Sequence, residues 1–580
     1  MSLVLVSCLW VGGDDVSARL DEDGDGYAPD EDCDEGDPAI SPAADELCGD
    51  LIDNDCDGSV DEENAADAAL FYEDLDGDGF GTNLDTAQAC EQPDGFAAEL
   101  GDCDDDDPAS YPGAFEICGD GVDNDCADGD IGACAIHGDR DLSDAALMVV
   151  GGDRLGQFSS AVTPAGDMDG DGLPELAFGA RYEEWDSYGA GSVYVIDGAT
   201  RGRVQAGAVA EIHLKGELAY EAVGQALSPL GDLDGDGHDD LLVGSYSTYY
   251  ESAWVLYGGV SGTQETSRLP TVILAEEEDA YAGQVLAGLD DTDGDGFPDF
   301  VIGLPEEDLA GQDSGAVFVF TGVGKESLDL ADASAVITGE AIGAAAGTTL
   351  DRAGDVNGDG YGDMLVGAPQ DSQEVEKAGA AYIVLGPFNT GSLAGAWLEI
   401  HGKLPQDQLG WCVAGAGDVD GDGRLDLVIG APFSSTDDLI YNGVLWVLTD
   451  VVQGDAAIGQ IATQIRGVDS AEATGEACTT GGDLDGDGLA ELVGGSLQAQ
   501  RDGTTLGAAW IFDSPFSGVG YRDQADAHLW GVVEHEQAGN VVTGGFDVDQ
   551  DGYDDLLVGS RYGGDNDQGA AYLWLGGPEE

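Results

Sequence analysis

The sequence predicts an all-β protein: a seven-bladed β-propeller preceded by a small, loop-rich and cysteine-rich N-terminal region. Three observations carry this. Glycine makes up 93 of 580 residues, which points to many tight turns and few long helices. An acidic segment, GDMDGDGLPEL at Gly166 to Leu176, returns six more times with the same skeleton. The first aspartates, Asp167, Asp232, Asp291, Asp355, Asp418, Asp483 and Asp547, are spaced by 65, 59, 64, 63, 65 and 64 residues. That period is too long for a leucine-rich, ankyrin or tetratricopeptide repeat.

Each unit has one layout. In the first, a short strand (159–164) leads into the acidic loop. A strand ELAFGA (175–180), a polar loop, a strand GSVYVIDG (191–198) and a more amphipathic strand AEIHLKG (210–216) follow. Four β-branched and aromatic runs per unit, with Gly at the turns, read as a four-stranded blade. An open solenoid of stacked sheets is the competing arrangement, and the chain ends choose between them. The last unit finishes with AAYLWLGG (570–577) and has no fourth strand, whereas ALMVVGG (146–152), ahead of the first unit, has that strand's pattern. A ring needs such a donation to hide its edges, so Leu147 to Val150 is expected beside Tyr572 to Leu575. The expected organisation is 1–20 signal and linker, 21–136 N-terminal units and 137–580 propeller.

On these features the repeats resemble FG-GAP repeats, the units of the integrin α-subunit propeller. LGQF (155–158) stands in the FG position, and VGAP (366–369) and IGAP (429–432) in the GAP position, while LVGS (242–245) and VGGS (493–496) drift from it. The resemblance covers about three quarters of the chain.

The acidic loops read as calcium sites. In DxDxDGxxD, carboxylates stand at positions 1, 3, 5 and 9, Gly at 6 permits the turn, and the carbonyl of position 7 can face inward. That hard oxygen set suits Ca²⁺. The seven sets are Asp167, Asp169, Asp171, Leu173 and Glu175; Asp232, Asp234, Asp236, His238 and Asp240; Asp291, Asp293, Asp295, Phe297 and Asp299; Asp355, Asn357, Asp359, Tyr361 and Asp363; Asp418, Asp420, Asp422, Arg424 and Asp426; Asp483, Asp485, Asp487, Leu489 and Glu491; and Asp547, Asp549, Asp551, Tyr553 and Asp555. The residue fourth in each set serves through its backbone. Four carboxylates within about 5 Å make six repelling pairs, each costing roughly 1 to 3 kcal/mol. A merely solvated acidic turn would therefore oppose folding. The integrin resemblance implies that these ions are structural, on the face away from ligand.

Residues 21–63 and 74–134 form two related units, reading DEDGDGYAPDEDCDEGDP then ELCGDLIDNDCDGSVDE, and DLDGDGFG then GDCDDDDPASYPGAFEICGDGVDNDCADGD. They resemble the MopE-type metal-binding motif of bacterial surface and secreted proteins. Asp21, Asp23, Asp25 and Asp32 take positions 1, 3, 5 and 12 of an EF-hand-like loop. Asp53, Asp55, Asp57 and Asp61 repeat the propeller spacing, and Asp74, Asp76, Asp78 and Asp85 offer a third set. A fourth, at Asp123 and Asp125, has Ala127 at position 5, with Asp128 or Asp130 as substitutes. With so few core residues this region needs metal and disulfides.

Eight of eleven cysteines fall between Cys33 and Cys134, which suggests disulfides in an exported protein, with a thiolate metal cluster as the alternative. The sequence leaves their connectivity open, and leaves Cys412 and Cys478 as either a bridge or two buried thiols. Cys8, in Leu5-Val6-Ser7-Cys8, resembles a bacterial lipobox and implies lipidation, although no Lys or Arg precedes the short apolar run. There is no run of 18 or more apolar residues, so no membrane-spanning helix is expected.

Only 17 Lys plus Arg stand against 119 Asp plus Glu, a net charge of −102, which excludes nucleic acid and anionic membrane surfaces as electrostatic partners. No GxSxG, HExxH or Walker loop is present. The function read from these features is a monomeric calcium-binding protein outside the cell, either a bacterial outer-membrane lipoprotein or secreted, and not an enzyme. It would be an adhesion or ligand-binding scaffold for a surface protein or glycan. A propeller-based polysaccharide lyase or hydrolase and a purely structural surface-layer component are the alternatives. Long aromatic loops supply the candidate partner site: Arg181, Tyr182, Trp185, Tyr188, Tyr246, Tyr249 and Tyr250. The same rings would equally order these loops by packing on one another.

Overall fold

The computed structural model describes residues 21–61, 65–108, 110–112, 122, 126, 136–152, 156–184, 187–246, 252–274, 283–322, 324, 327–449, 451–516, 518–564 and 567–578. The chain divides into two compact units, 1–133 and 134–580.

Among the described residues the larger unit holds seven five-stranded sheets. Sheet 1 runs Phe158–Gly166, Glu175–Ala180, Ser192–Ile196 and Ile212–Lys215, all antiparallel neighbours. Its fifth strand is Gly262–Glu265, which pairs parallel to Ile212–Lys215 and belongs to the next unit. The innermost strands of the sheets touch in cyclic order, and Ala538–Phe546 of sheet 7 touches Phe158–Gly166 of sheet 1, so the ring is closed.

Burial explains the patterning. Glu175–Ala180 and Ser192–Ile196 are buried at every position, covered on both faces by neighbouring sheets, and so read as continuous apolar runs. The fourth strand, Ile212–Lys215, alternates buried and half-buried, giving the amphipathic pattern IHLK. The GAP glycine has a definite task. A Cβ on Gly367 would stand 2.2 Å from the carbonyl oxygen of Gly410, and one on Gly430 would stand 2.1 Å from that of Gly475. Gly410 and Gly475 belong to the FG positions of the following units and have φ of +85° and +87°. Each GAP glycine thus admits the FG turn of the next sheet.

The expected closure is present with a two-residue offset. Leu147–Val150 pairs antiparallel with Ala570 to Leu573 rather than with 572–575. The offset preserves which face each side chain takes, because the strand period is two.

Four-stranded blades were expected, and the fifth strands correct that. Segments such as GRVQ (Gly202–Gln205) and GTQE (Gly262–Glu265) are short, polar and largely exposed, and they join through backbone bonds that composition does not announce. The segment before sheet 1 serves twice. Gly138–Asp141 pairs parallel with Ala527–Trp530 of sheet 6, and Leu147–Val150 completes sheet 7. Cys412 and Cys478 are bonded, joining the inner edges of sheets 5 and 6.

The N-terminal unit has one four-stranded sheet, in the order Phe96–Ala97, Ala69–Glu73, Phe80–Ala89, Glu99–Leu100. Its core is small: Ile40, Ala65, Phe71, Ala89 and Ala97 are buried, whereas Leu47, Leu51, Leu70, Leu75 and Leu84 are exposed. Disulfides Cys33–Cys56, Cys48–Cys90 and Cys103–Cys126 supply cross-links.

Val149 is fully buried in the closing strand, and Met148 beside it is half-buried. Val149→Asp places an unpaired charge in that core and is expected to lower unfolding free energy by more than about 3 kcal/mol, whereas Met148→Asp costs less. Chemical denaturation of the two variants checks this ordering.

Candidate metal centres

All seven propeller loops hold one conformation. In the first, Asp167 accepts the Gly170 amide at 2.7 Å on Oδ1 and the Gly172 amide at 3.1 Å on Oδ2. Asp169 Oδ1 accepts the Asp171 amide and Asp171 Oδ1 the Leu173 amide, at 2.9 and 2.8 Å. Glu175, at position 9, reaches back to the Met168 amide at 2.6 Å. The position-1 and position-9 bonds recur around Asp232 and Asp240, Asp291 and Asp299, Asp355 and Asp363, Asp418 and Asp426, Asp483 and Glu491, and Asp547 and Asp555. Position 5 accepts the position-7 amide on Oδ1 in all seven loops, and Asp169, Asp234, Asp293, Asp420 and Asp485 at position 3 accept the position-5 amide on Oδ1. Asp299 Oδ1, Asp426 Oδ1, Glu491 Oε1 and Asp549 Oδ1 are buried with no hydrogen-bond partner.

The position-9 carboxyls carry the electrostatic cost. Burial pushes Glu175, Asp240 and Asp426 up to about 7. It pushes Glu491 and Asp555 to about 8, and Asp299 and Asp363 to about 6. Neighbouring loop carboxylates add to the rise, against the amide hydrogen bonds that favour ionisation.

Adjacent loops are joined. At four junctions the backbone amide at position 8 of one loop donates to the position-1 carbonyl of the preceding loop: Asp239 to Asp167 at 2.9 Å, Gly362 to Asp291 at 3.2 Å, Ala490 to Asp418 at 3.0 Å and Asp554 to Asp483 at 2.9 Å. Loops 1 and 3 have proline at that position, Pro174 and Pro298, and no amide to donate. At five junctions the position-7 side chain covers the position-4 glycine of the preceding loop: His238 on Gly170, Phe297 on Gly235, Tyr361 on Gly294, Leu489 on Gly421 and Tyr553 on Gly486. Loop 7 departs from the others. It has Gln550 at position 4, with φ of +60°, and its amide nitrogen donates to the Gly172 carbonyl of loop 1. Arg201 reaches Asp549 at 3.3 Å. Sequence reading missed Arg201, which lies outside every motif.

In the N-terminal unit, Asp21, Asp23 and Asp25 form the same turn. Asp23 Oδ2, Asp25 Oδ2, Asp32 Oδ2 and Glu35 Oε1 are buried without hydrogen-bond partners. Glu35 is an addition to the expected set. The third set needs correction. Asp85 is exposed within strand Phe80–Ala89, whereas Asp76 Oδ2, Asp78 Oδ2 and Asp102 Oδ2 are the buried, unpartnered oxygens. Asp105 accepts the Leu75 amide at 2.9 Å. Asp102 and Asp105 correspond to Asp32 and Glu35 in the two D-C-D-[DE] segments. The segment between Phe80 and Leu100, which carries strand Phe80–Ala89 and two short strands, moves the second copy out of EF-hand spacing. In the remaining set, Glu46 lies with Asp53 and Asp55 within 4.8 Å, and Asp61 turns Oδ1 to the Gly49 amide at 2.7 Å. Glu46 stands in ELC, the counterpart of EIC at 116–118, a repeat that could have flagged it. Asp123, Asp125, Asp128 and Asp130 lie outside the described residues, as do Cys8, Trp185, Tyr249 and Tyr250.

At the opposite end of the second strands, Arg181 is held by Gln157 and Gln225 at 2.7 and 2.6 Å and lies over the Tyr182 ring at 4.8 Å. Burial lowers its pKa, and Arg561 and Tyr246 are among the charges that act on it. Tyr188 meets Tyr220 edge-on at 5.2 Å. Sequence reading missed Tyr220, Arg561 and Tyr562. The recurrence of Arg-Tyr directly after strands Glu175–Ala180 and Asp555–Ser560 was the available signal.

The FG-GAP repeat profile matches residues 158–196, 223–256, 282–320, 346–384, 411–448 and 538–574. The chain carries FG-GAP repeats. The unit around Asp483 lies outside those matches yet forms a five-stranded sheet with the same strand order as the others, Ala477–Gly482 to Ala527–Trp530. The MopE metal-binding motif, whose profile name refers to copper, matches 32–62 and 102–130. Those matches begin at Asp32 and Asp102, the residues that complete the N-terminal loops. Among curated relatives, integrin alpha pat-2 of Caenorhabditis briggsae is 29% identical over 270 residues, 42% of this chain and 20% of that protein. Human integrin alpha-7 is 30% identical over 234 residues, 37% of this chain and 18% of that protein. The chain thus matches about a fifth of the length of these relatives. A crystal structure of BBS1N in complex with ARL6DN aligns over 72% of this chain and 92% of that one, with a TM-score of 0.38 and 8% identity, too low to argue from.

The residues fit a metal. The described cysteines near the N-terminal loops are disulfide-bonded, which leaves oxygen donors, and one carboxylate oxygen from each of Asp21, Asp23 and Asp25, and of Glu46, Asp53 and Asp55, lies within 4.8 Å of the others.

Without metal, Asp240, Glu491 and Asp555 favour the protonated form in the folded state, so folding takes up protons. Stability is therefore highest below about pH 4 to 5 and falls as pH rises through about 7 to 8. Calorimetry of chelated protein is expected to show a lower Tm at pH 8 than at pH 5, and divalent cation should restore the pH 8 value. Identical pH slopes with and without cation would contradict this.

Proposed function

We propose that this protein is a calcium-built scaffold outside the cell that presents a binding face for a surface protein or glycan. The observation that supports it most is the sevenfold repetition of an all-oxygen acidic loop, with buried oxygens that have no hydrogen-bond partner at Asp299, Asp426, Glu491 and Asp549. Hard oxygen donors in a turn with Gly at position 6 favour Ca²⁺ over copper or zinc, which seek imidazole or thiolate. Asp167, Asp169, Asp171 and Glu175, and their counterparts in the other loops, would hold the ion. Its role is to neutralise the carboxylates and lock the turn between the first and second strands.

The binding face is at the other end of those strands. Arg181 and Tyr182 follow the second strand of sheet 1, Tyr246 follows that of sheet 2, and Arg561 and Tyr562 follow that of sheet 7. Tyr182, Tyr188, Tyr220 and Tyr246 are 38, 62, 58 and 37% exposed. Exposed tyrosines beside arginine are the composition of a binding hot spot. In a chain with 17 cations among 580 residues, two arginines in this patch are a concentrated attraction for acidic ligands. Similarity to integrin α subunits supports a binding role over a lyase or hydrolase. The disulfides support export into an oxidising compartment, with Cys8 as the lipid attachment point. Among the described residues no helix is long and apolar enough to cross a membrane.

Asp234→Ala is expected to remove one bound calcium and lower the Tm, with the rest of the ring intact; elemental analysis and calorimetry read both. Tyr182→Ala and Tyr188→Ala should reduce retention on a glycan array or on whole cells without altering calcium content. Equal retention by wild type and variants would leave the purely structural reading.

A further inference from the structure

Sheet 4 carries a polar cluster unlike the acidic loops, because it contains an imidazole. Glu399 and His401 are two apart on the fourth strand, Leu398–His401, and so share a face. Asp455, on the parallel fifth strand Gly454–Ala457, pairs directly with Glu399. His401 Nε2 lies 3.5 Å from Asp455 Oδ1 and 3.9 Å from Glu399 Oε2. One ligand atom from each of the three residues lies within 4.8 Å of the others.

His401 is 8% exposed, and its Nδ1 is buried with no hydrogen-bond partner. A second imidazole on a fourth strand is satisfied differently. His528 Nε2 bonds the Arg522 carbonyl at 2.8 Å, with Asp139 3.4 Å from Nδ1. Glu340, at the end of sheet 3, adds a further carboxylate. It is held on Oε2 by Gln373 at 2.6 Å, and its Oε1 is buried without a hydrogen-bond partner. The Glu399 pKa is raised by burial and then by Glu340, so these groups crowd one another.

We propose that Glu399, His401 and Asp455 bind a divalent transition-metal ion that takes mixed imidazole and carboxylate ligands, with Zn²⁺ as its probe. A tetrahedral Zn²⁺ with bonds of about 2.0 to 2.1 Å separates its ligand atoms by roughly 3.3 Å, close to the spacing around Nε2. The Asp455 side chain is 73% exposed, so the ion enters from solvent and keeps a coordination position for water. This centre is chemically separate from the calcium loops and does not depend on the ligand face.

The test is equilibrium dialysis of the full chain against Zn²⁺ in excess calcium, which occupies the oxygen-only loops. Wild type is expected to retain one more Zn²⁺ than His401→Ala, and Co²⁺ substitution should give visible absorption that the variant lacks. Asp455→Asn alters an exposed side chain, keeps the fold and is expected to weaken Zn²⁺ binding at least about tenfold. If His401→Ala does not fold, Asp455→Asn decides. Equal Zn²⁺ uptake and affinity in wild type and the folded variants overturns the proposal.

Discussion

A DxDxDG turn with an acid at position 9 gathers four carboxylates around one point, and this chain makes that turn six times in its ring, with Asn357 replacing one carboxylate in a seventh, while carrying a net charge of −102. Backbone amides take some of the lone pairs and Gly supplies the left-handed turn, but neither cancels the repulsion at the centre. Buried position-9 carboxyls held up to about 7 or 8, and oxygens buried with no hydrogen-bond partner, are the local signs of the charge that the proposed cation would offset.

The ring converts these separate turns into one object. Loop-to-loop backbone bonds, such as Asp239 to Asp167, run between neighbouring centres. At five junctions the position-7 side chain of one loop lies on the position-4 glycine of the loop before it. At the other end of the second strands, the GAP glycine admits the FG turn of the next sheet. Fifth strands lent by each following unit, and the disulfide between Cys412 and Cys478, stitch the outer and inner edges. Loop 7 meets loop 1 where the chain closes, and there Gln550 and Arg201 replace the usual glycine contact. An arginine beside Asp549 lowers the charge a cation must cancel at that junction.

The architecture was legible because the acidic turns recur at a constant period, and buried second and third strands read as unbroken apolar runs. What escaped was held by backbone or by long-range pairing. The fifth strands are short and polar, so composition gives no sign of them. Spacing within one loop points to Asp85, whereas the fold that brings in Asp102 across an inserted segment leaves no mark in local spacing. Arg201 and Arg561 are single residues whose meaning appears only when first and last sheets meet. The His401 cluster was hidden for the same reason: Asp455 is 54 residues away in sequence and beside it in the sheet.

The most direct measurement is metal content per chain by elemental analysis, with near-UV circular dichroism before and after chelation. A cation-held ring predicts about seven or more calcium ions, one for each propeller loop and others in the N-terminal unit, with loss of the tertiary signal on stripping and its return on adding calcium back. Few bound ions and an unchanged spectrum would mean that the loops are acidic turns which fold unaided, and would contradict the account.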